Sequence, residues 1–388
     1  MPTLIHVEGF EHRSWRDEND GQPNSFVFDN MNRDVGITAD TGVKRTGAAS
    51  LKLVEDGVTA TWAQIGFVSV TQILVGSVYL RMAAAPSVES RIIRHPGPSQ
   101  SLKFAVTTAG EIAVQFDTTT PVGPVITDGN WHRLDWRIVT DGVSHTVTWA
   151  VDGSSQTPRT FTAAGAENMT DLEFGSTNLA HTATVWYDDL VLSVTDGDYP
   201  LGAHSVHALV PDSDGSHNNP SSSLQDHNGT TIGTAWSLLD EWPPTSATDL
   251  VKQTTIQTAH YAEVNFPSPG VVPWAVVAVA ALQNPDSTVS NGTTRIVDAG
   301  GATLVDVYSG DHGLSNTQIH TARKLVPDPG GNGWSSQDLD GLKARIGFSS
   351  DATPNPGWLA LMLQYAVSDT PPPIINRRLR TVSSPLRW

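Results

Sequence analysis

The sequence contains no cysteine among its 388 residues, which excludes disulfide bonds, thiolate metal sites and cysteine nucleophiles. Basic residues are also few, since 23 Lys and Arg stand against 40 Asp and Glu and give a formal net charge of −17. A surface of this charge repels nucleic acid and anionic membranes, so we expect no nucleic-acid partner. The lack of cysteine fits assembly in a reducing cytoplasm.

Long apolar runs and helical periodicity are missing as well. The most apolar stretch, residues 271–282, is too short to cross a bilayer as a helix, and its β-branched residues favour a buried strand. We find no long segment in which apolar residues repeat every 3.6 positions. We therefore expect neither membrane insertion nor a helical fold.

Turn-forming and strand-forming residues are abundant instead, with 33 Gly, 25 Pro and many Thr, Val and Ser. This composition favours short strands that are joined by turns. The length suffices for two or three domains, each with its own core. The sequence thus predicts an all-β protein, with antiparallel β-sandwich domains.

Two Asp-Gly turns bracket the most regular strand pattern of the chain. The first turn, residues 128–130, precedes a run that alternates from Trp131 to Ile138, and the second turn is Asp152-Gly153. Gly accepts a positive φ and Asp can hydrogen-bond its own backbone, so both sites favour tight turns. The alternation places two sets of side chains on opposite faces of a strand: Trp131, Arg133, Asp135 and Arg137 on one face, and His132, Leu134, Trp136 and Ile138 on the other.

This element resembles the laminin-G-like and concanavalin-A-like jelly rolls. In that superfamily an aspartate-glycine-x-tryptophan-histidine entry and a later valine-aspartate-glycine turn bracket adjacent strands. The resemblance covers residues 1–196 and implies a jelly-roll first domain. It implies no activity by itself.

Three further segments are similar to bacterial and viral carbohydrate-binding jelly rolls: residues 7–11, 46–53 and 185–192. In that superfamily the terminal strands lie together, and their acidic residues often hold a structural calcium ion. The positions that match are Glu11, Asp188 and Asp189. Carboxylate oxygens are ligands that Ca²⁺ prefers. The alternative is that Asp188 and Asp189 flank a bulge or pair with Arg or Lys.

Aromatic residues are the usual platforms for sugars, but a Trp on an alternating strand is more often part of the core. Trp15 and Trp62 stand in less regular surroundings and are the platform candidates. His132 is a third candidate for glycan contact, and the alternative for it is a hydrogen-bonded structural role.

A glycosidase needs two carboxylates a few ångströms apart. On a jelly-roll strand we expect such acids at alternating positions, with a third acid beyond them. Asp171-Leu172-Glu173 comes nearest to this pattern but lacks the third acid. We therefore expect no enzymatic activity and no catalytic residue.

Turn formers and a proline in residues 197–202 predict a short, semi-rigid linker. Beyond it, residues 203–369 read as a second β-sandwich. The strand-like runs there are residues 260–266, 271–282, 294–298, 303–308, 342–352 and 358–367.

The order of these regions resembles minor tail proteins of bacteriophages that infect actinobacteria. The match is carried by Tyr199-Pro200-Leu201-Gly202, Leu209-Val210-Pro211, Asp240-Glu241, Arg345-Ile346-Gly347 and Ser349-Ser350-Asp351. The resemblance implies a structural role in the virion, assembled in the host cytoplasm, with other virion proteins as partners.

The composition changes at residues 370–388, where arginines and apolar residues are interleaved in an otherwise acidic chain. This segment predicts an extended basic and apolar arm. Three consecutive prolines favour an extended path, and Trp and Arg are frequent anchors of protein interfaces. We expect this arm to dock on another virion protein or on a neighbouring copy in a homo-oligomer. Its docking residues are Ile374, Ile375, Arg377, Arg378, Arg380, Arg387 and Trp388.

The leading hypothesis is therefore a non-enzymatic minor tail protein, with possible adhesion to a host-surface glycan through the first domain. Three alternatives stay open. The chain could decorate the capsid or head, or act as a carbohydrate-binding adhesin, or, as the weakest option, depolymerise a glycan.

Overall fold

A computed structural model of the chain is almost entirely β-structure. It describes residues 2, 4–10, 30–31, 36–58, 60–70, 72–96, 102–115, 122–141, 144–162, 169–176, 182–216, 224–226, 228–240, 251–253, 261–283, 291–311, 320–348 and 357–369. No helix within these ranges is long and apolar enough to cross a membrane. The predicted all-β class with antiparallel sandwiches is confirmed.

The first half of the chain forms two antiparallel sheets that enclose one apolar core. Its strands are β1 (Leu4–Glu8), β2 (Asn30–Met31), β3 (Ile37–Asp40), β4 (Ser50–Asp56), β5 (Thr61–Val70), β6 (Ile73–Arg81), β7 (Ser90–His95), β8 (Leu102–Val106), β9 (Glu111–Gln115), β10 (Val122–Val125), β11 (Trp131–Thr140), β12 (Ser144–Val151), β13 (Ser154–Ser155), β14 (Arg159–Thr162), β15 (Met169–Ser176) and β16 (Thr182–Ser193). A nine-stranded sheet has the order β13-β12-β11-β6-β16-β4-β3, with β1 beside β16 and β14 beside β12. A seven-stranded sheet has the order β10-β9-β8-β7-β15-β5-β2.

The alternation predicted for β11 is confirmed. Leu134, Trp136 and Ile138 are buried in the core. On the other face Trp131, Arg133 and Arg137 are half-buried, and Asp135 is fully buried in an ion pair with Arg133. Both Asp-Gly turns are present, with φ of +84° at Gly129 and +80° at Gly153.

The second half forms two smaller antiparallel sheets. Its strands are β17 (His204–Leu209), β18 (Ser213–Asp214), β19 (Leu224–Gln225), β20 (Val251–Gln253), β21 (Tyr261–Asn265), β22 (Ala275–Gln283), β23 (Asn291–Val297), β24 (Thr303–Asp311), β25 (His320–Val326), β26 (Lys343–Phe348) and β27 (Gly357–Ser368). A six-stranded sheet has the order β19-β20-β27-β22-β25 with β17 beside β27, and a five-stranded sheet has the order β18-β21-β26-β23-β24.

Helical structure in the described ranges is short. Two 3₁₀ turns span Asp196–Asp198 and Trp236–Leu238, and an α-helix, α1, spans Ser336–Asp340. The side chain of Ser335 accepts a hydrogen bond from the backbone N–H of Asp338, and the Asp338 side chain accepts one from the backbone of Ser335. This capping box fixes the start of α1.

Strand β22 explains the most apolar stretch of the sequence, because both of its faces are buried. Its even-numbered residues from Val276 to Leu282 belong to the core of the second half. Its odd-numbered residues from Ala275 to Ala281 belong to the apolar cluster that contains the core of the first half. A strand covered on both faces needs no polar alternation. The two halves thus share a continuous apolar interface.

Glu8 lies at this interface and is fully buried. Its Oε1 accepts hydrogen bonds from the backbone N–H of Phe10 at 2.6 Å and from Gln364 Nε2 at 3.0 Å. Its Oε2 is paired with Arg323 Nη1. Burial, followed by the nearby Arg323 charge, lowers the pKa of His6 to about 3, so His6 is neutral here. One strand of the first half is thereby tied to two strands of the second.

The linker predicted at residues 197–202 leads from β16 through a 3₁₀ turn to β17. It joins two halves that are packed against each other. The predicted arm, residues 370–388, lies outside the described residues, and with it all seven of its predicted docking residues.

Candidate functional site

Five polar side chains form a row across the outward face of the seven-stranded sheet. They lie opposite one another on adjacent strands, from β5 through β15, β7 and β8 to β9: Gln64, Glu173, Arg94, Lys103 and Gln115, here called the polar row. At a strand spacing of about 4.8 Å the row is roughly 19 Å long. Glu173 is buried and the other four members are half-buried, so these four can contact several units of a polymeric ligand.

Apolar neighbours explain why the row faces outward. Successive residues of a strand point to opposite faces, and one chain neighbour of each row member is buried in the core: Ala63, Phe174, Ile93, Phe104 and Val114. These five also pair in register, so an apolar row lies directly behind the polar one. Burial of the two phenylalanines thus sets the direction of the polar side chains.

Glu173 is held in the row by two arginines. Arg94 Nη1 donates to the two carboxylate oxygens at 3.3 and 3.0 Å, and Arg91 Nη2 lies 3.4 Å from Oε2. Burial lowers the pKa of Arg91 to about 10, although the charge of Glu173 acts to raise it. Arg91 Nε donates to the backbone oxygen of Gly175 at 2.7 Å. The carboxylate thereby accepts hydrogen bonds from Arg94 and forms an ion pair with Arg91.

Trp62 lies beside the polar row. It precedes Gln64 by two residues in β5, so the two side chains share the outward face, and Trp62 is half-buried. Its partner in register on β15 is Gly175, which projects no side chain next to the ring. An aromatic ring therefore flanks a line of hydrogen-bonding groups. Its predicted role in glycan binding stays a prediction, and Trp15 lies outside the described residues.

His132 lies at a different place, between the two Asp-Gly turns of the nine-stranded sheet. Its Nδ1 is 2.8 Å from Asp152 Oδ2, and its Nε2 is 2.9 Å from Asp128 Oδ1. Two carboxylates need two N–H donors, so this geometry favours the imidazolium form. Burial lowers the pKa of His132, but the hydrogen bonds to Asp152 and Asp128 outweigh it and the net pKa is raised. The structure thus supplies the hydrogen-bonded structural role, and glycan contact at His132 stays untested.

From the contacts of His132 with Asp128 and Asp152, here called the His132 clamp, we predict that the stability of the protein depends on pH. Because the folded pKa is raised above its ordinary 6.5, the stabilisation is complete below that value and is lost as pH rises through the folded pKa. We expect the melting temperature to fall more between pH 6 and pH 9, roughly the range in which His titrates, in the wild type than in His132→Gln. Equal pH profiles for the two proteins would show that the clamp is not charged.

Asp188 and Asp189, the predicted calcium ligands, accept hydrogen bonds from protein groups. Asp188 Oδ2 accepts from the backbone N–H of Arg45 at 2.8 Å, and its Oδ1 from the N–H of Asp189 at 2.9 Å. Asp189 Oδ1 accepts from Thr46 Oγ1 and from the N–H of Val206, both at 2.6 Å, and its Oδ2 pairs with Arg45 Nη1. Pairing with Arg was the alternative that the sequence left open.

Glu11, the third predicted calcium ligand, lies outside the described residues. Within the described ranges, no group of three or more His, Asp or Glu side chains is placed to hold a metal ion. A structural calcium ion at Glu11, Asp188 and Asp189 stays a prediction. Asp189 also has a φ of +52°, at the bulge where the pairing of β16 with β6 shifts register.

A groove of about 630 Å³ lies on the nine-stranded sheet, away from the polar row. Its floor comes from β4 and β16, and its wall from residues 83–85. The lining residues are Lys52, Val54, Glu55, Ala83, Ala84, Ala85, Thr182, Ala183, Thr184 and Trp186. Trp186 lies at one end of this groove.

The sequence alone did not indicate the polar row. Part of it is visible in the sequence, because polar and apolar residues alternate in the segments that form β8 and β9. This alternation places Lys103 and Gln115 on the face of the sheet opposite to the apolar side chains. The register that brings Arg94 and Glu173 beside Lys103 joins segments distant in the chain, and no local pattern specifies it.

No protein-family model and no curated protein matches this chain. Solved structures match it weakly. Trypanosoma rangeli sialidase is 12% identical with a TM-score of 0.31, over 40% of this chain and 27% of that one. The N-terminal CBM22 tandem domain from Paenibacillus barcinonensis is 12% identical with a TM-score of 0.28, over 95% and 98%. The Bacillus licheniformis beta-glucanase is 13% identical with a TM-score of 0.31, over 49% and 97%.

The chain spans about a quarter of the length of the sialidase. Because these TM-scores are below 0.5, we draw no argument about function from the likenesses. Function is therefore inferred from the residues of this chain.

Proposed function

We propose that this chain is a non-enzymatic structural protein that binds a carbohydrate polymer through the polar row and Trp62. The observation that carries the proposal is the row itself, in which amide, carboxylate, guanidinium and ammonium groups follow one another on a rigid sheet. Sugar hydroxyls both donate and accept hydrogen bonds, so they suit such a mixed line. The ring of Trp62 offers an apolar surface to the carbon face of a sugar.

The positions of the acids support a binding role over catalysis. Glu173 is the carboxylate of the polar row, and ion pairs with Arg91 and Arg94 already occupy it. Asp171, two residues earlier on β15, pairs in register with Gly66. A glycosidase would need one acid of such a pair to deliver a proton to the leaving oxygen.

A more specific role, as a minor tail protein of a bacteriophage, is supported by the sequence resemblance alone. A capsid position is the alternative for the same resemblance. Electron microscopy of intact particles with this chain labelled would distinguish the two, and particles without label would contradict both.

Binding of cell-wall polysaccharides tests the carbohydrate proposal. We expect Trp62→Ala and Gln64→Ala each to weaken binding by about 10-fold, as loss of an anchoring contact does. Lys324→Ala, at an exposed position of β25 in the other half, is the matched control and should bind as the wild type does. Calorimetric titration with soluble polymers measures the effect.

Two results would contradict this proposal. Binding that is unchanged in both row variants would remove the polar row as the site. Release of new reducing ends during incubation would show that the protein is a depolymerase instead.

A further inference from the structure

The groove on the nine-stranded sheet is lined by aliphatic residues and Trp186, together with the polar residues Lys52, Glu55, Thr182 and Thr184. Ala83, Ala84, Ala85 and Ala183 contribute methyl groups, and Val54 contributes an isopropyl group. Glu55 also lines it, but this side chain is buried and bonded to Ser90 Oγ. The aliphatic part of this lining suits an extended, apolar occupant.

Trp186 closes one end of the groove and is held rigidly. Its indole Nε1 donates to Asp40 Oδ2 at 2.9 Å, so the polar atom of the ring is already used. Lys52 and Arg81 flank the ring, with their charged groups 5.4 and 5.3 Å from its centroid. The ring therefore offers carbon atoms to the groove from a fixed position.

The described chain ends close to this point. The Asp369 carboxylate is paired with Arg45, whose guanidinium lies 3.5 Å over the ring of Tyr79. Tyr79 precedes Arg81 by two residues on β6, and Arg81 pairs in register with Trp186. Residues that follow Asp369 thus start beside Tyr79, two residues along β6 from the partner of Trp186.

We propose that Pro371–Ile375 of the same molecule occupies this groove. A polyproline-II path rises about 3.1 Å per residue, so these five residues span roughly 16 Å. The groove floor from Trp186 to Thr182 is about 13 Å long at the rise of a strand. Aromatic-lined grooves are also a common way of binding proline-rich segments, because the extended path is preformed and loses little entropy.

Charge complementarity sets the direction. The first residues of the arm, up to Ile375, are uncharged and pass the cations Lys52 and Arg81 at the near end. Arg377 and Arg378 follow at the far end. There Asp56, an exposed carboxylate, pairs in register with Thr182. The arm therefore meets opposite charge only after its apolar part has filled the groove.

Because the chain has no cysteine, introduced thiols are the only ones present. Thr184→Cys combined with Ile374→Cys places one thiol on the groove floor and one on the arm. The matched control is Thr38→Cys with Ile374→Cys, since Thr38 lies on the same face but outside the groove lining. We expect the groove pair to form an intrachain disulfide about 10-fold faster than the control pair, because docking raises the effective concentration. Non-reducing electrophoresis and peptide masses report the linkage.

Every other result overturns the proposal. Equal rates for the two pairs would mean that the arm is only tethered nearby, and disulfide-linked dimers would mean that a second copy fills the groove. As a second measurement, deleting residues 371–388 should increase amide exchange at Ala83–Ala85. Unchanged exchange there would also remove the arm from the groove, without bearing on the polar row.

Discussion

Replacing Arg323 with Met is expected to lower the free energy of unfolding by about 3–5 kcal/mol, because it leaves a buried charge without its partner. Glu8 is fully buried and pairs with Arg323 across the interface of the two halves. The Arg323 side chain also donates to the backbone oxygen of Val7 and to Gln364 Oε1. Met keeps most of the volume of the side chain but none of these donors. Urea unfolding of the full chain measures the loss.

Arg295→Met is the control for this experiment. Arg295 pairs with Asp306 on neighbouring strands of the second half, but the two side chains are 24% and 45% exposed. An ion pair of this kind contributes about 0–1 kcal/mol. Adding Glu8→Gln to Arg323→Met should recover part of the loss, since the buried charge is then gone as well. An Arg323 variant as stable as the Arg295 variant would show that the interface does not depend on this pair.

Gly76→Ala should destabilise the protein by about 1–3 kcal/mol through overpacking. A Cβ atom on Gly76 would lie 2.2 Å from Cζ2 and 2.3 Å from Cε2 of Trp136, a fully buried ring. The two residues face each other in register on β6 and β11, which both lie inside the nine-stranded sheet. Neighbouring strands on either side hold this backbone, so it cannot move away cheaply. Thermal unfolding followed by near-ultraviolet circular dichroism measures the change.

Gly197→Ala is the matched control, because a Cβ there meets no heavy atom within 4 Å. We expect it to change stability by no more than about 0.5 kcal/mol. Trp136→Phe removes the ring atoms that the new methyl group would strike. The double variant should therefore cost less than the sum of its two single variants. Strict additivity would indicate that Gly76→Ala acts through something other than contact with Trp136.

Local patterns in the sequence were sufficient for much of the first half. The alternation from Trp131 to Ile138 and the two Asp-Gly turns beside it each depend on residues that are adjacent in one or two strands. Their side-chain period and turn chemistry are therefore visible without the fold. Strand β22 was also expected from its apolar run, although the run could not show what covers each face.

Contacts between distant segments could not be predicted. The partner of Asp189 is Arg45, more than 140 positions earlier, and the partner of Glu8 is Arg323, more than 310 positions later. No spacing rule links such residues, because they meet only after both halves have folded. The polar row was missed for the same reason. The predicted sites at Glu11, Trp15 and the arm lie outside the described residues.

The position of β27 has a consequence for synthesis on the ribosome. This strand, the last in the described part of the chain, pairs with β17, β20 and β22 and lies inside the six-stranded sheet. During translation β22 leaves the ribosome before β27, and both of its faces are apolar. Residues 284–356 must be synthesised before β27 can pair with its edge. An exposed apolar strand edge is prone to aggregation during that interval. Nascent chains of this protein should therefore depend on a chaperone until translation has passed Ser368, however stable the finished molecule is.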